Sequence, residues 1–566
     1  MPVIKIDNFG GIMPRQHPTL LGDGMAVVAH NLRLKRGKLV PLRQPALVSG
    51  ASVLMEDGLT KIEDAQSLHV WRKANGSFDF LAFKGVTWMA PGNIADDDKT
   101  RVIVTGDRNG DGQTDEPVMY ARVVENGVVT KKVVPLVKER LADPAAERYG
   151  GSVVETGETK FKGYIDIAGL AALEDVAEGD SYTMTDAGII EQTVGQDNEN
   201  IAVAIGTTVV WDGAKWALSE RYNAAAVRYT NFYWTWVDGF GYESPVSNPT
   251  GEVAYLNGDS IVISNAAPSA EGAVTPAWLA ARGAEYIRVY KVIAGTDMGR
   301  IQFIYEKKVS ELGDATSTTP VSFQFTVKDE NAGEVLPNIE APSADLTCVQ
   351  DVPGGFYCGF SPSAPKTVMF SDIDLPYSWP VAYRYDVADN LVALAVTSNS
   401  VFALTDGWPY VLSGTAPESM SVAKLAGPAA CVSPRGVCVY RNAVYYVSNV
   451  GLMTIYNSAD AGTVCANLTD KMFTKDQWLA LNPQSCIMGQ HDGALFLYLT
   501  APEGAVYSLS FIDPDGTLQV SRTSHVGLTI DLLDGPTIAV TTHDEAARCL
   551  CTDNAEDKMY YVREVR

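Results

Sequence analysis

Between positions 107 and 115 the chain reads Asp-Arg-Asn-Gly-Asp-Gly-Gln-Thr-Asp. Side-chain oxygens fall at alternate places, on Asp107, Asn109 and Asp111, and again on Asp115. The backbone carbonyl of Gln113 fills the remaining step of that pattern. A hard cation such as Ca2+ takes about six to eight oxygens, and this spacing folds several around one point. Gly112 lets the backbone turn sharply between them. These five residues are the candidate metal ligands, and the cation would be a structural Ca2+ stapling a hairpin. The plainer reading is a polar Asn-Gly/Asp-Gly turn without metal.

The flanks of the loop, "TRVIVTG" and "PVMYARVV", are strand-like, rich in β-branched residues. The twelfth position is Val118, where an EF-hand has a bidentate Glu, so the loop is not an EF-hand. Its D-x-N-x-D-G-x-x-D order resembles the calcium hairpin loops of integrin-type propellers.

Other chemistry is sparse. The histidines at 17, 30, 69, 491, 525 and 543 form no H-E-x-x-H, and no G-x-S-x-G elbow, P-loop or complete dinucleotide fingerprint occurs. "SHVG" at His525 and "THDE" at His543 are fragments of the kind any long chain offers. Acid runs such as Asp96-Asp97-Asp98 and Glu174-Asp175 would suit glycoside hydrolysis only if folding set two carboxylates about 5–10 Å apart. The eight cysteines include no C-x-x-C pair, which argues against zinc and for reduced, buried thiols in a chain made in a cytoplasm. The aromatic residues Tyr445, Tyr446, Phe496 and Tyr498 alternate in strand-like runs, as interior packing requires more often than sugar platforms do.

The elements that carry all this are strands. Residues 68–90, 391–414, 436–456 and 493–513 share one grammar: a β-branched and aromatic run, a short polar or Gly-containing turn, a second run. The last three recur at roughly the spacing of propeller blades. Residues 165–218 have their own character, with Trp211-Asp212-Gly213 and Trp216 marking a tight hairpin pinned by two indoles. Residues 222–330 alternate at sandwich spacing. Helical pattern is limited to 137–150, interrupted by Pro144, and 275–283. The chain is therefore expected to be all-β: a β-propeller core with an inserted small β module and a β-sandwich. The expected division is 1–150 for the N-terminal segment and first blades, 151–220 for the module, 221–335 for the sandwich and 336–566 for the remaining blades. The N-terminal hairpins are expected to close the propeller with the last repeats, which removes exposed edges.

Apolar content of 46% and charged content of 20% exclude wholesale disorder. A net charge of −24 argues against a phosphate-binding surface, since duplex binding rests on Lys and Arg displacing counterions. It suits a surface past which a polyanion slides. "MPVIKIDNFGG" lacks the apolar core of a signal peptide, and no window reaches the ~20 apolar residues of a membrane span.

The segment "YWTWVDGFGYESPVS" (233–247) with "YIRVYKV" (286–292) resembles fibronectin type III-like modules of phage structural proteins. The opening, with Gly10-Gly11, Pro14, Pro18, Asn31 and the basic turn from Lys35 to Pro45, is similar to tail nozzle proteins of short-tailed phages, also called tail tubular protein B. "VMFSDIDLPYSWP" (368–380) and residues 406–453 resemble later passages of that family. The resemblance implies a structural, non-enzymatic virion protein of the phage tail. It would form a homo-oligomeric, hexameric ring below the portal and head-to-tail adaptor, pass genomic DNA without sequence-specific binding, and dock tail fibres or spikes. The basic stretch "RLKRGKLVPLR" (33–43) is a candidate contact for an acidic adaptor face or for DNA, the plainer reading being a hairpin whose polar face is charged. Rival readings are a propeller glycosidase or lyase acting on host surface polysaccharide, and a surface adhesin.

Overall fold

The structure, a computed structural model, describes residues 11–149, 160–219, 228–267, 272–293, 300–491 and 494–561, with further gaps inside the first and last ranges and short ones at 195–196, 199, 428 and 459–461. It divides into two compact units, residues 1–137 with 340–566, and residues 138–339.

The first unit is a β-propeller. Five complete four-stranded antiparallel blades run through residues 87–135, 347–386, 391–424, 437–467 and 487–523, each with strands in chain order. The opening strands of successive blades lie side by side: Thr87–Pro91 beside Thr347–Val352, then Leu391–Val396, Val437–Tyr440 and Ile487–His491. Burial follows from that arrangement. Second strands, covered on both faces by neighbouring blades, are buried at every position in Val102–Gly106, Phe356–Ser361, Val401–Thr405 and Ala443–Ser448. Such strands read as continuous apolar runs, whereas the outermost Ser421–Lys424 is exposed throughout. Phe356, Phe370, Leu404, Tyr446 and Ile455 join one core across the second to fourth complete blades. Each such side chain contributes about 1.5–3 kcal/mol by its removal from water. Between the third and fourth, the Asn442 carboxamide oxygen accepts from Ser398 N (2.9 Å) and Oγ (2.8 Å). Asn442 can do so because Arg441 and Asn442 both adopt positive φ, as a two-residue type I′ turn demands.

Residues 138–339 interrupt the chain between the first and second complete blades without separating them. Tyr357 Oη donates to Pro91 O (2.9 Å), and Val349 N to Thr105 Oγ1 (3.3 Å). A three-stranded sheet of Val53–Met55, Phe78–Phe83 and Ser67–Arg72 precedes the first complete blade. An early strand also meets a late one: Ala46–Leu47 pairs antiparallel with Lys558–Tyr561. Near the start, Ile12 is buried with Tyr445, Phe473 and Trp478, while Arg15 N donates to Met472 O (3.0 Å).

The second unit holds a β-sandwich. One sheet is Pro144–Arg148, Ser260–Asn265 and Ser322–Thr326; the other is Phe232–Asp238, Ala284–Ile293 and Arg300–Lys308. Ile261, Ile263, Phe323 and Phe325 point inward at alternate positions towards Trp234, Ile287 and Val289. The helix expected near 275–283 is present as Pro276–Ala281, with the Thr275 hydroxyl accepting from Trp278 N (3.1 Å). The helix expected over 137–150 is not formed. Pro144–Arg148 is a strand instead, in register from Pro144 opposite Asn265 to Arg148 opposite Ile261. Proline, which lacks an N–H, is tolerated at the first place of such an edge strand and not inside a helix. The sandwich thus begins before the small module, which is threaded between its first strand and Phe232–Asp238. That module is a four-stranded sheet of Lys160–Ile165, Asp180–Met184, Thr208–Trp211 and Trp216–Leu218 around Leu170, Met184, Val209 and Trp216. Its indoles Trp211 and Trp216 stand opposite each other with ring centroids 5.3 Å apart.

Candidate functional site

The loop from Asp107 to Gln113 joins strands Val102–Gly106 and Asp115–Glu125 of the first complete blade. A β-bulge between Val104 and Gly106 brings Gly106 opposite Asp115, at the loop's base. The loop rests on the turn before Thr87. A Cβ on Gly85 would lie 2.3 Å from the Asp107 carboxyl carbon, and one on Gly110 would lie 2.8 Å from Lys84 Cβ. Gly110 and Gly112 have φ of +81° and +83°, the left-handed region that glycine enters without penalty.

Four of the five candidate ligands turn their side chains onto the loop's own amides. Asp107 accepts from Gly110 N (2.6 Å) and Gly112 N (2.9 Å). Asp115 accepts from Arg108 N (2.6 Å), Asn109 N (3.3 Å) and Asn109 Nδ2 (3.0 Å). The Asn109 carboxamide oxygen accepts from Asp111 N (2.9 Å), and Asp111 Oδ1 from Gln113 N (2.8 Å). The carboxylates are thus satisfied by N–H donors: Asp115 Oδ2 takes two of them, while each of the other accepting oxygens takes one and keeps a lone pair. Among the described residues no three His, Cys, Asp or Glu side chains gather around one point. The donor chemistry suits a hard cation, while the observed arrangement is an amide-held turn. The elements bring Asp107, Asn109, Asp111 and Asp115 into one loop, and the fifth candidate, Gln113, lends its N–H as well as a carbonyl.

The remaining chemistry-bearing residues have plainer settings. Asp97 caps a turn, accepting from Lys99 N (3.1 Å) and Arg101 N (3.0 Å). Tyr445 and Tyr446 are interior, with Tyr446 Oη donating to Ala429 O (2.9 Å). Among the described residues six cysteines are free and five of them buried; burial pushes the Cys348, Cys431 and Cys438 thiols up to about 12. His69, its Nε2 2.8 Å from Thr87 Oγ1, is held down to about 4, by burial first and by the Arg435 guanidinium second. His525, His543, Asn31 and Pro45 lie outside the described residues. The basic hairpin pairs Leu32–Lys35 with Lys38–Pro41.

Sequence reasoning passed over two features. One is the buried pair Lys138–Asp238 (2.7 Å) at the entry to the second unit, whose partners are a hundred positions apart and leave no local signal. The other is Lys160–Ile165, "KFKGYI", an edge strand whose alternating lysines and aromatics were legible in principle.

No protein-family model matches the chain, and no curated protein does. Among solved structures, virginiamycin B lyase from Staphylococcus aureus aligns at 10% identity over 68% of this chain and 97% of its own, with a TM-score of 0.25. A 6-phosphogluconolactonase candidate from Bacteroides fragilis aligns at 11% over 59% and 94%, TM-score 0.26. Hsv2 from Kluyveromyces lactis aligns at 9% identity and TM-score 0.20; the alignment covers 39% of this chain and 56% of that protein's length. Similarity this slight says nothing about activity.

Proposed function

We propose that the chain is a structural component of a short-tailed phage tail, a nozzle ring of six copies below the portal and adaptor. DNA leaves through its lumen, and its outer face docks fibres or spikes. The observation that carries the reading is the way the chain is laid out. Its N-terminal segment, which carries the nozzle-like motifs, packs as Ile12 and Arg15 on the loop after Gly462–Asn467, far along the sequence. Such a body can present the inserted sandwich and module without breaking the propeller. The charge of −24 supports a conduit, since a wall rich in carboxylates does not retain a polyanion.

In the same reading the Asp107–Asp115 loop is a clip. Calcium, when bound, would take oxygens of Asp107, Asn109, Asp111, Asp115 and the Gln113 carbonyl, adding cross-links to a hairpin that its amides already close. It would supply stability and no reaction step.

The test is native mass spectrometry of the purified chain, alone and mixed with the portal–adaptor complex of the same virus. Six copies bound per portal complex is the expected result. A chain that stays monomeric and unbound, or that releases reducing ends from host capsule, overturns the ring reading.

A further inference from the structure

The described residues include eight large hydrophobic side chains more than half exposed, and four of them, Phe161, Tyr164, Ile189 and Ile205, belong to the small module. Two sit on one strand. Lys160–Ile165 is the edge of its sheet, paired in parallel with Asp180–Met184 on one side and with no described strand on the other. Its outer backbone N–H and C=O groups are therefore a template for a further strand.

The side chains of this edge are sorted by face. Lys160 stands opposite Asp180, and Lys162 Nζ lies 3.3 Å from Asp180 Oδ1, so both lysines share one face. A register shift between Phe161 and Gly163, where Gly163 has φ +139° and open space around it, rotates the strand. Phe161 and Tyr164 consequently meet on the other face, ring centroids 5.6 Å apart and edge to face, beside the Thr183–Thr208 hydroxyl pair. They are 57% and 74% exposed.

Lysines and a bulge are common devices for discouraging strand addition. They do not account for two adjacent aromatic rings left in water on the same strand. They do exclude one occupant: in a two-fold pairing of this edge with a second copy, lysine-bearing edges meet each other. We infer that Lys160–Ile165 is a docking edge for an extended segment of another protein that alternates acidic and apolar residues. Its acids meet Lys160 and Lys162 on one face, its apolar side chains cover Phe161 and Tyr164 on the other, and its main chain extends the sheet. The inference stands on this module alone and does not depend on the nozzle reading.

Hydrogen exchange on the full chain tests it, with a ten-residue peptide of alternating Glu and Val as probe and its Lys/Val counterpart as control. The expected result is slowed exchange confined to 160–165 and neighbouring strands with the Glu/Val peptide only. Lys160→Glu and Lys162→Glu should each weaken that binding by roughly tenfold. Phe161→Ser with Tyr164→Ser should abolish it while leaving exchange in the rest of the module unchanged. Three results overturn the inference: no protection, equal protection by both peptides, or the same protection on raising chain concentration without peptide, which would make the occupant a second copy.

Discussion

Replacing Asp238 by asparagine isolates the charge that anchors the entry to the second unit. Asp238 Oδ2 accepts from Lys138 Nζ at 2.7 Å, and both side chains are 3% exposed. The ammonium also lies 4.5 Å from the Trp236 ring centre. Asp238 Oδ1 accepts from Phe240 N (2.8 Å) and Tyr242 N (3.0 Å). Burial lowers the pKa of Lys138, and Asp238 works against that shift. Asp238→Asn keeps the amide bonds and leaves a buried ammonium without a counter-charge, at a cost of about 3–4 kcal/mol. Lys138→Met keeps the stem packed on Trp236 and leaves a carboxylate that still holds two amides, at about 2 kcal/mol. The double substitution should also cost about 2 kcal/mol, well short of the sum, giving a coupling of about 3–4 kcal/mol. Native-state hydrogen exchange in Phe232–Asp238 and Ala284–Ile293 reads the opening of this unit without requiring the whole chain to unfold in one step. Because the folded ammonium has the lower pKa, the unfolded chain binds more protons in the window up to 10.5, and the unit gains stability as pH rises through it. Additive single effects, or an Asp238→Asn cost below about 1 kcal/mol, would refute the view of this pair as a buried, mutually dependent anchor.

In the propeller, His69 is neutral when folded and titrates near 4 rather than 6.5. Stability should therefore fall by up to about 3 kcal/mol between pH 7 and pH 4, a slope that His69→Gln flattens in acid denaturation. Alkylation at pH 8 should label Cys465 and spare Cys348, Cys431, Cys438 and Cys486 until the chain is unfolded, since burial keeps their thiolates scarce; labelling of Cys348 in the native chain would contradict the packing. Asp107→Ala removes the acceptor of two amides and should cost about 1–2 kcal/mol in thermal melts with or without chelator. The calcium clip predicts in addition that chelator lowers the melting temperature of the natural chain and not of Asp111→Ala. A melting temperature of the natural chain that chelator leaves unchanged would dispose of it.

Strand periodicity made the architecture legible because a propeller repeats one local pattern, so residues 391–414 and 436–456 announce their hairpins without knowledge of their neighbours. The Trp211–Trp216 turn was equally local. What escaped depended on distant partners. Pro144–Arg148 takes its conformation from Ser260–Asn265, over a hundred positions away, and its Ala- and Glu-rich composition pointed to helix. The same holds for Lys138, whose charge looks like a solvated surface residue until Asp238 and Trp236 enclose it. In the Asp107–Asp115 loop the spacing located the turn and its glycines, but not the direction of the carboxylates. Amide donors and a cation compete for the same oxygens there, and only the backbone conformation decides which is served.

The central claim, a ring component of the tail, is tested most directly by counting. Quantitative mass spectrometry of gradient-purified phage particles from the source should find this chain at a constant ratio of one copy to two of the portal. Its absence from purified particles, or a ratio that varies between preparations, would contradict the account.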